Sequence, residues 1–280
     1  MTALVVREDL SHRTELSKSQ LVGAEMCQTK SWLEIHDRRP FPVIEKVIFG
    51  SAIDAGTEQI VWHAARGQDA GSKPLQAAME VAARDGIDLD WDEINAALAG
   101  FRTDVLPKFD WTDAVVQPTV RAEIAGLGPC SGHPDIILAD GTVLDVKAAA
   151  RPKEPFGIEL GFYTLLCEAP TRALADAVVL EGEPKWRVPR VGYLAWVRLK
   201  KPYWQIAVMD TTAELRRYAM ARALAVARAR DLDAHVNKGE GTPINYTLTG
   251  GPKGNGLCET CQYHPANGGP CELAQREAVA

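Results

Sequence analysis

The spacing of apolar residues predicts helices in the first part of the chain. Apolar positions recur at helical intervals over 16–35 and 52–65, and in two amphipathic pieces of 75–101 that break near Gly86. Ser17, with Gln20 three residues on, has the pattern of a capping box and predicts the start of the first helix.

From residue 115 the pattern changes to the alternating and β-branched runs that are typical of strands. Strands are predicted over 115–124, 133–138, 142–148, 177–180, 191–199 and 203–209. Helices are predicted over 156–167 and from an N-cap at Thr211 or Thr212 to about residue 235. This order of elements predicts an α/β fold with a mixed central sheet flanked by helices.

The same pattern divides the chain into three segments that we expect to pack as one compact unit. Residues 1–112 form a helical region and residues 113–236 the α/β core. A stretch rich in Gly, Pro, Asn and Thr then opens the C-terminal segment 237–280, which carries a group of cysteines.

Composition changes this picture little. The chain has 280 residues, 46% hydrophobic and 24% charged, which is ordinary for a globular protein. It has no apolar run of the roughly 18 residues that a membrane span needs, and its start lacks the pattern of a signal peptide. We therefore expect a cytoplasmic protein with no membrane partner.

Charge does not exclude a nucleic-acid partner. The net charge is −6, but the local field at a binding groove matters more than the total. Basic residues cluster in three groups, which are equally typical of solvated faces: Lys185, Arg187 and Arg190; Arg198, Lys200 and Lys201; and the arginines of 216–230.

The cysteines indicate a metal site. Disulfides are rare in cytoplasmic proteins, and Cys258, Cys261 and Cys271 lie close together near the C-terminus. Thiolates suit both zinc and iron–sulfur clusters, so their chemistry alone leaves the two open. In a zinc site His264 would replace one cysteine.

The segment that ends at Lys147 predicts a hairpin with acidic residues on one face. If 139–141 form a three-residue loop with Gly141 left-handed, Asp135 lies opposite Asp145, and Lys147 shares their face. Like charges opposite one another destabilise a sheet, and Mg²⁺ or Mn²⁺ would offset that repulsion. With a two-residue turn the two acids would lie on opposite faces. A second alternative is a solvated hairpin with an ordinary ion pair.

Gly132, Pro134 and Asp135, followed by Asp145-Val146-Lys147, resemble the core motif of the PD-(D/E)XK nuclease superfamily. Further motifs over 16–271 resemble its RecB-like branch, which includes CRISPR-adaptation and phage exonucleases. The resemblance implies a restriction-endonuclease-like fold and a metal-dependent DNA exonuclease. It also implies that Asp135, Asp145 and Lys147 are catalytic.

The resemblance further implies a set of metal ligands. The stretch from Phe49 to Asp54 is similar to the family's Gly-x-x-x-His motif, with Asp54 in place of the ligating histidine. Mg²⁺ or Mn²⁺ would then be held by Asp54, Asp135, Asp145 and the Val146 carbonyl. Glu58, one turn beyond Asp54, is a substitute ligand.

Glu159-Leu-Gly-Phe-Tyr163 is similar to the family's Gln-x-x-x-Tyr motif, which contacts DNA. The resemblance therefore implies that Glu159 and Tyr163 are DNA-binding residues. Glutamate in place of glutamine favours a bridge to Lys147 or to water over a contact with phosphate. Taken without the resemblance, Tyr163 is typical of a core aromatic.

In the RecB-like branch three C-terminal cysteines and one near the N-terminus hold a [4Fe–4S] cluster. The matching residues of this chain are Cys27, Cys258, Cys261 and Cys271. The implied partners are single-stranded DNA or DNA ends, with recombination, replication or CRISPR-adaptation proteins. The alternative is a non-catalytic DNA-binding or scaffold subunit stabilised by iron–sulfur or zinc.

Two other residue types remain open. His133 is expected to contact a phosphate or to form a local hydrogen bond. Trp186, Trp196 and Trp204 are candidates for stacking on unpaired bases, although we expect burial of at least two of them.

Overall fold

The computed structural model describes residues 15–26, 44–169 and 187–236. The predicted strand at 177–180 and all four predicted cluster cysteines (Cys27, Cys258, Cys261 and Cys271) lie outside these residues, as does Trp186. Within the described ranges, six α-helices flank two mixed sheets. The predicted α/β class is confirmed, and the architecture is consistent with a restriction-endonuclease-like fold.

Helices dominate the first part of the described chain, and most of the strands follow them. The helices are α1 Lys18–Met26, α2 Glu45–Ala64, α3 Lys73–Asp85, α4 Trp91–Gly100, α5 Ile158–Glu168 and α6 Ala213–Val236. The strands are β1 Leu16–Ser17, β2 Val115–Val116, β3 Val120–Ile124, β4 Gly128–Gly132, β5 Ile136–Ile137, β6 Val143–Ala149, β7 Arg190–Val197 and β8 Tyr203–Asp210. No helix in the described ranges is long and apolar enough to cross a bilayer.

The larger sheet has the strand order β2-β5-β6-β7-β8, and only its β6–β7 pair is parallel. The smaller sheet has the order β1-β4-β3, with β1 parallel to β4. Helices cover both faces of the larger sheet. Leu144 and Trp196 belong to the core on the face of α2–α4, whereas Val143 and Tyr193 belong to the core shared with α1, α5 and α6.

The prediction of one strand over 115–124 is wrong. The segment breaks into β2 and β3, which belong to different sheets. Gln117 has a φ of 49°, in the left-handed region, and Pro118 has no N–H to donate to a ladder. The sequence also missed β4, because its glycines and proline have low strand propensity.

The predicted capping sites are confirmed. The Ser17 main-chain N–H donates to Gln20 Oε1 (3.1 Å), and the Gln20 N–H donates to Ser17 Oγ (3.3 Å). The helix itself begins at Lys18, after the short strand β1. Thr212 Oγ1 accepts from the Leu215 N–H at 3.1 Å, which identifies Thr212 as the residue that caps α6.

Helix α2 begins at Glu45, seven residues before the predicted start at residue 52. Gly50 lies inside this helix, where a Cβ would stand 3.8 Å from the Ala148 Cβ of β6. Glycine disfavours helices, but Gly50 lies where α2 packs against the sheet. This packing outweighs the low helix propensity of glycine.

The expectation that at least two of the three tryptophans are buried is confirmed. Trp196 is 4% and Trp204 is 7% exposed. The Trp204 indole N–H donates to the Ala97 carbonyl at 2.7 Å, and the Trp196 N–H donates to Glu93 at 3.1 Å. Both rings stabilise the contact between α4 and the sheet, so neither has a free face for a base.

Candidate active site

The hairpin formed by β5 and β6 has the predicted register. Ile136 pairs with Leu144, and the Leu138 N–H donates to the Thr142 carbonyl at 2.9 Å. Gly141 has a φ of 88°, the left-handed conformation that the three-residue loop requires. Continuing this register places Asp135 opposite Asp145.

The two strands separate just beyond that point. The paired residues of β5 are Ile136 and Ile137, whereas β6 runs on to Ala149. In place of a ladder bond, the Val146 N–H donates to Asp135 Oδ2 at 2.7 Å. Because the N–H and C=O of one strand residue point to the same side, the Val146 carbonyl also faces this gap.

Asp145 is a buried carboxylate that few hydrogen bonds satisfy. Its side chain is 0% exposed, and Lys147 Nζ forms an ion pair with its Oδ2. Apart from that ion pair, neither of its oxygens has a hydrogen-bond partner among the described residues. Burial, and next the charge of Asp135, raise the pKa of Asp145 to about 8. Such a group favours either a proton or a nearby cation.

Asp54 on α2 lies close enough to Asp135 on the hairpin for the two carboxylates to interact electrostatically. Burial raises the pKa of each carboxyl to about 6, and the negative charge of Asp54 contributes further to the rise at Asp135. Gln117 Nε2 lies between them, 3.5 Å from Asp54 Oδ2 and 3.4 Å from Asp135 Oδ1. Glu58 also raises the pKa of Asp54 through its charge.

Lys147 projects from the same face of β6 as Asp145, and it lies between the carboxylates of Asp145 and Glu159. Burial alone would lower its pKa, but the charges of Asp145, Glu159 and Asp135 outweigh burial and raise it above the ordinary value. Its Nζ is 3.5 Å from Glu159 Oε1, which confirms the predicted bridge between Glu159 and Lys147. A lysine that stays protonated can donate hydrogen bonds and stabilise negative charge, but it cannot accept a proton.

Glu159 is an anion shared by several donors. Lys18 Nζ donates to its Oε1 at 2.6 Å, and the Tyr193 hydroxyl donates to its Oε2 at 3.2 Å. Burial opposes ionisation, but Lys147 and Lys18 outweigh it and lower the pKa of Glu159 to about 2. In this structure these three side chains occupy its oxygens, and the contact of Glu159 with DNA stays a prediction.

Tyr163 is buried, as expected of a core aromatic when the resemblance is left aside, and its contact with DNA stays a prediction. Its side chain is 0% exposed. The Tyr163 hydroxyl donates to the His133 carbonyl at 2.7 Å, two residues before Asp135. His133 Nδ1 lies 3.2 Å from Thr119 Oγ1, the local hydrogen bond that was one of its two expected roles. Tyr163 thus fixes the backbone that carries Asp135.

An open cleft of about 880 Å³ lies over the gap in the sheet. Its wall includes Asp54, Asp135, Lys147 and the strand around Val146. The other polar side chains that line it are mostly basic: Lys18, Lys46 and Arg198, with Ser51 and Glu93.

Most of the basic side chains in the cleft already have carboxylate partners. Arg198 forms two hydrogen bonds to Glu93, at 2.8 and 2.7 Å, and its guanidinium lies 3.9 Å from the centre of the Phe49 ring. Val47 and Leu199, which also line the cleft, are 40% and 49% exposed. The cleft is thus accessible, and it combines fixed charge with apolar edges.

The donor chemistry fits a hard divalent cation. Asp54, Asp135 and Asp145 supply carboxylates with raised pKa values, one of them with an unpaired oxygen, and Val146 supplies a carbonyl. No three His, Cys, Asp or Glu side chains converge to hold a metal within the described part of the chain. In this structure Lys147 contacts Asp145, and Gln117 Nε2 lies between Asp54 and Asp135.

Three residues of the site were missed from the sequence. Lys18 lies in the capping-box segment, where its position next to a helix start gave no sign of chemistry. Tyr193 follows the alternation of β7 as any core aromatic would. Gln117 depends on a left-handed backbone that its residue type does not predict.

Comparison with known proteins gives little further information. No family model matches the chain, and no curated protein is similar to it in sequence. A crystal structure of a protein from Eubacterium rectale, provisionally named an exonuclease, is 11% identical, with a TM-score of 0.47 over 81% of this chain and 86% of the other. The crystal structure of SSO0001 is 13% identical, with a TM-score of 0.31 over 85% of this chain and 94% of the other.

Proposed function

We propose that the chain is a metal-dependent deoxyribonuclease that hydrolyses phosphodiester bonds at DNA ends. The observation that carries the proposal is the grouping of Asp135, Asp145 and Lys147 at one gap in a sheet, beside Asp54 and under an open cleft. Two lysines, Lys18 and Lys147, offset only part of the charge of the four largely buried acids Asp54, Asp135, Asp145 and Glu159, so a structural role alone gives the acids little advantage.

The chain's own residues would perform distinct tasks. Asp54, Asp135, Asp145 and the Val146 carbonyl would hold Mg²⁺ or Mn²⁺, which when bound acts as a Lewis acid and lowers the pKa of water. Lys147, protonated and partly exposed at 27%, would donate to the attacking water or to a phosphate oxygen. Glu159 would keep Lys147 in place through their 3.5 Å ion pair.

The substrate is proposed from the shape and charge of the cleft. Lys46 would lie along a phosphate backbone, as would Lys18 and Arg198 through N–H donors beyond those paired with Glu159 and Glu93. Val47 and Leu199 offer apolar edges to bases of a frayed or single strand. Proteins of recombination, replication or CRISPR adaptation are the proposed partners, in the cytoplasm.

The second candidate is a non-catalytic DNA-binding or scaffold subunit. The direct contact between Lys147 and Asp145 favours it, because a lysine can neutralise a buried acid without a metal. Digestion of end-labelled DNA in Mn²⁺ or Mg²⁺ separates the two. Cleavage that is lost on substitution of Asp145 supports the nuclease, and binding without cleavage supports the subunit.

We also propose that a [4Fe–4S] cluster joins the two ends of the chain. The proposal rests on the sequence positions of Cys27, Cys258, Cys261 and Cys271. Iron and acid-labile sulfide measured on anaerobically purified protein should be stoichiometric, and Cys261→Ser should lose both. Zinc in place of iron in the wild type would contradict the cluster.

A further inference from the structure

Gln117 has a backbone conformation that an ordinary loop does not require. It is a non-glycine residue with a φ of 49°, so its left-handed backbone is strained. It follows β2 directly, and its main-chain N–H donates to the Asp135 carbonyl at 2.8 Å. The backbone of Gln117 is therefore fixed to the same residue that its side chain reaches.

The side chain of Gln117 lies between two acids. Its Nε2 is within 3.5 Å of Asp54 Oδ2 and within 3.4 Å of Asp135 Oδ1. An ionised carboxylate only accepts hydrogen bonds, so the amide must turn its NH₂ group toward both acids. The two N–H bonds of one amide can thus join a carboxylate on α2 to a carboxylate on the hairpin.

The hydrogen bonds to Asp135 divide between two elements. Gln117 is on the Oδ1 side, and the Val146 N–H holds Oδ2 at 2.7 Å. Together these donors orient the plane of the carboxylate toward Asp54. Without the amide, the two acids would face each other across the gap with no donor between them, and their repulsion would separate them.

We propose that Gln117 is a positioning residue that holds Asp54 and Asp135 side by side as a pair of ligands for one divalent cation. The inference rests on the proposed function and deepens it, because it names a residue that sets the affinity of that site for metal. Carboxylate ligands are commonly oriented by hydrogen-bond donors of this kind, and loss of such a donor weakens metal binding by about 10- to 100-fold.

Two substitutions separate the side chain from the backbone. Gln117→Asn keeps an amide and a residue that tolerates the left-handed region, but it is one methylene shorter. Gln117→Gly relieves the backbone and removes the side chain. Gln76→Asn is the matched control, since Gln76 Nε2 also donates to a carboxylate (Glu80 Oε1, 3.0 Å) on an exposed face of α3.

Mn²⁺ binding to the full-length, metal-free protein is measured by calorimetry and by electron paramagnetic resonance. Both Gln117 variants should bind Mn²⁺ about tenfold more weakly than wild type, whereas Gln76→Asn should bind within about twofold. The Mn²⁺ concentration that gives half-maximal cleavage of DNA should rise by the same factor, while the rate at saturating Mn²⁺ stays within a few-fold. A purely structural role would lower the melting temperature without this shift.

The outcomes separate the two proposals. If wild type binds Mn²⁺ and cleaves DNA, while both folded variants bind Mn²⁺ as tightly as wild type or more tightly, Gln117 is not a positioning residue and the proposed function stands. If wild type binds no Mn²⁺, both proposals fall. If wild type binds Mn²⁺, the variants bind it more weakly, and none cleaves DNA, the positioning role stands and the nuclease assignment falls.

Discussion

The main-chain N–H of Val146 donates a 2.7 Å hydrogen bond to the side chain of Asp135, across the point where β5 and β6 separate. A side chain has taken the place of a neighbouring strand, so the ladder ends without leaving the N–H unpaired. Because a side chain stands here in place of a strand, the Asp135 carboxylate points into the opening beside the Val146 carbonyl. The end of a β-ladder is thus the start of a candidate metal site.

Metal affinity should depend on pH because the proposed ligands bind protons. The pKa of Asp145 is raised to about 8, and those of Asp54 and Asp135 to about 6. A cation must displace these protons, so Mn²⁺ affinity should rise between pH 6 and pH 8, by about tenfold per pH unit for each proton released, and level off above pH 8. Calorimetry in buffers of different ionisation enthalpy measures the release directly. Affinity that is flat over this range would contradict protonated ligands.

The stability of the metal-free protein should depend on the same carboxyl groups, but their contribution to it should fall as pH rises. A carboxyl whose folded pKa lies above its unfolded value stabilises the fold at low pH, and that contribution is lost as pH rises through the folded pKa. For Asp145 the loss runs from about pH 4 to about pH 8. Asp145→Asn, which has no proton to lose, should therefore gain in melting temperature relative to wild type as pH rises.

Thermal unfolding with a chelator present measures that gain at pH 5, 7 and 9. Removing the partner of Lys147 shifts the variant by an amount that changes little over this range, because Lys147 stays protonated. The difference between variant and wild type should therefore grow up to about pH 8. A constant difference would show that Asp145 is already ionised at low pH.

Gly141 should be required for both the hairpin and the activity. Its φ is 88°, and a Cβ there would overlap the Arg187 carbonyl oxygen. Gly141→Ala should lower the free energy of unfolding by about 2–3 kcal/mol and reduce cleavage, because the turn sets the register of Asp135 and Asp145.

Gly71→Ala is the matched control for that substitution. Gly71 has a φ of 54°, but its Cβ would meet nothing within 4 Å. The control should lose only the cost of the left-handed backbone, about 1 kcal/mol, and keep its activity. Equal losses in the two variants, measured by chemical denaturation, would show that the contact with Arg187 does not matter.

The sequence was sufficient to predict the parts of the site that depend on strand periodicity and turn chemistry. Asp140-Gly141 defines the loop length, and the period of two then puts Asp135 opposite Asp145 and Lys147 on the same face. These relationships are local, so a short pattern contains them.

The rest depends on contacts between distant parts of the chain. Lys18 meets Glu159 across 141 residues, and Asp54 meets Gln117 across 63. The burial of Tyr163 depends on distant residues such as Lys18 of α1 and Gly132 of β4, so a helix pattern alone could not distinguish it from a DNA-binding residue. Packing, and not propensity, also allows α2 to run through Gly50.

Cleavage of end-labelled single- and double-stranded DNA in Mn²⁺, compared between wild type, Asp145→Asn and Asp140→Asn, tests the nuclease assignment most directly. Asp140 is in the same hairpin, but it accepts from the Thr142 N–H and pairs with Arg190 on the exposed side. We predict that wild type and Asp140→Asn cleave from DNA ends, whereas Asp145→Asn loses at least about 100-fold in rate. Each tenfold loss corresponds to about 1.4 kcal/mol of transition-state stabilisation. Equal cleavage by wild type and Asp145→Asn, or no cleavage by wild type, would contradict the account.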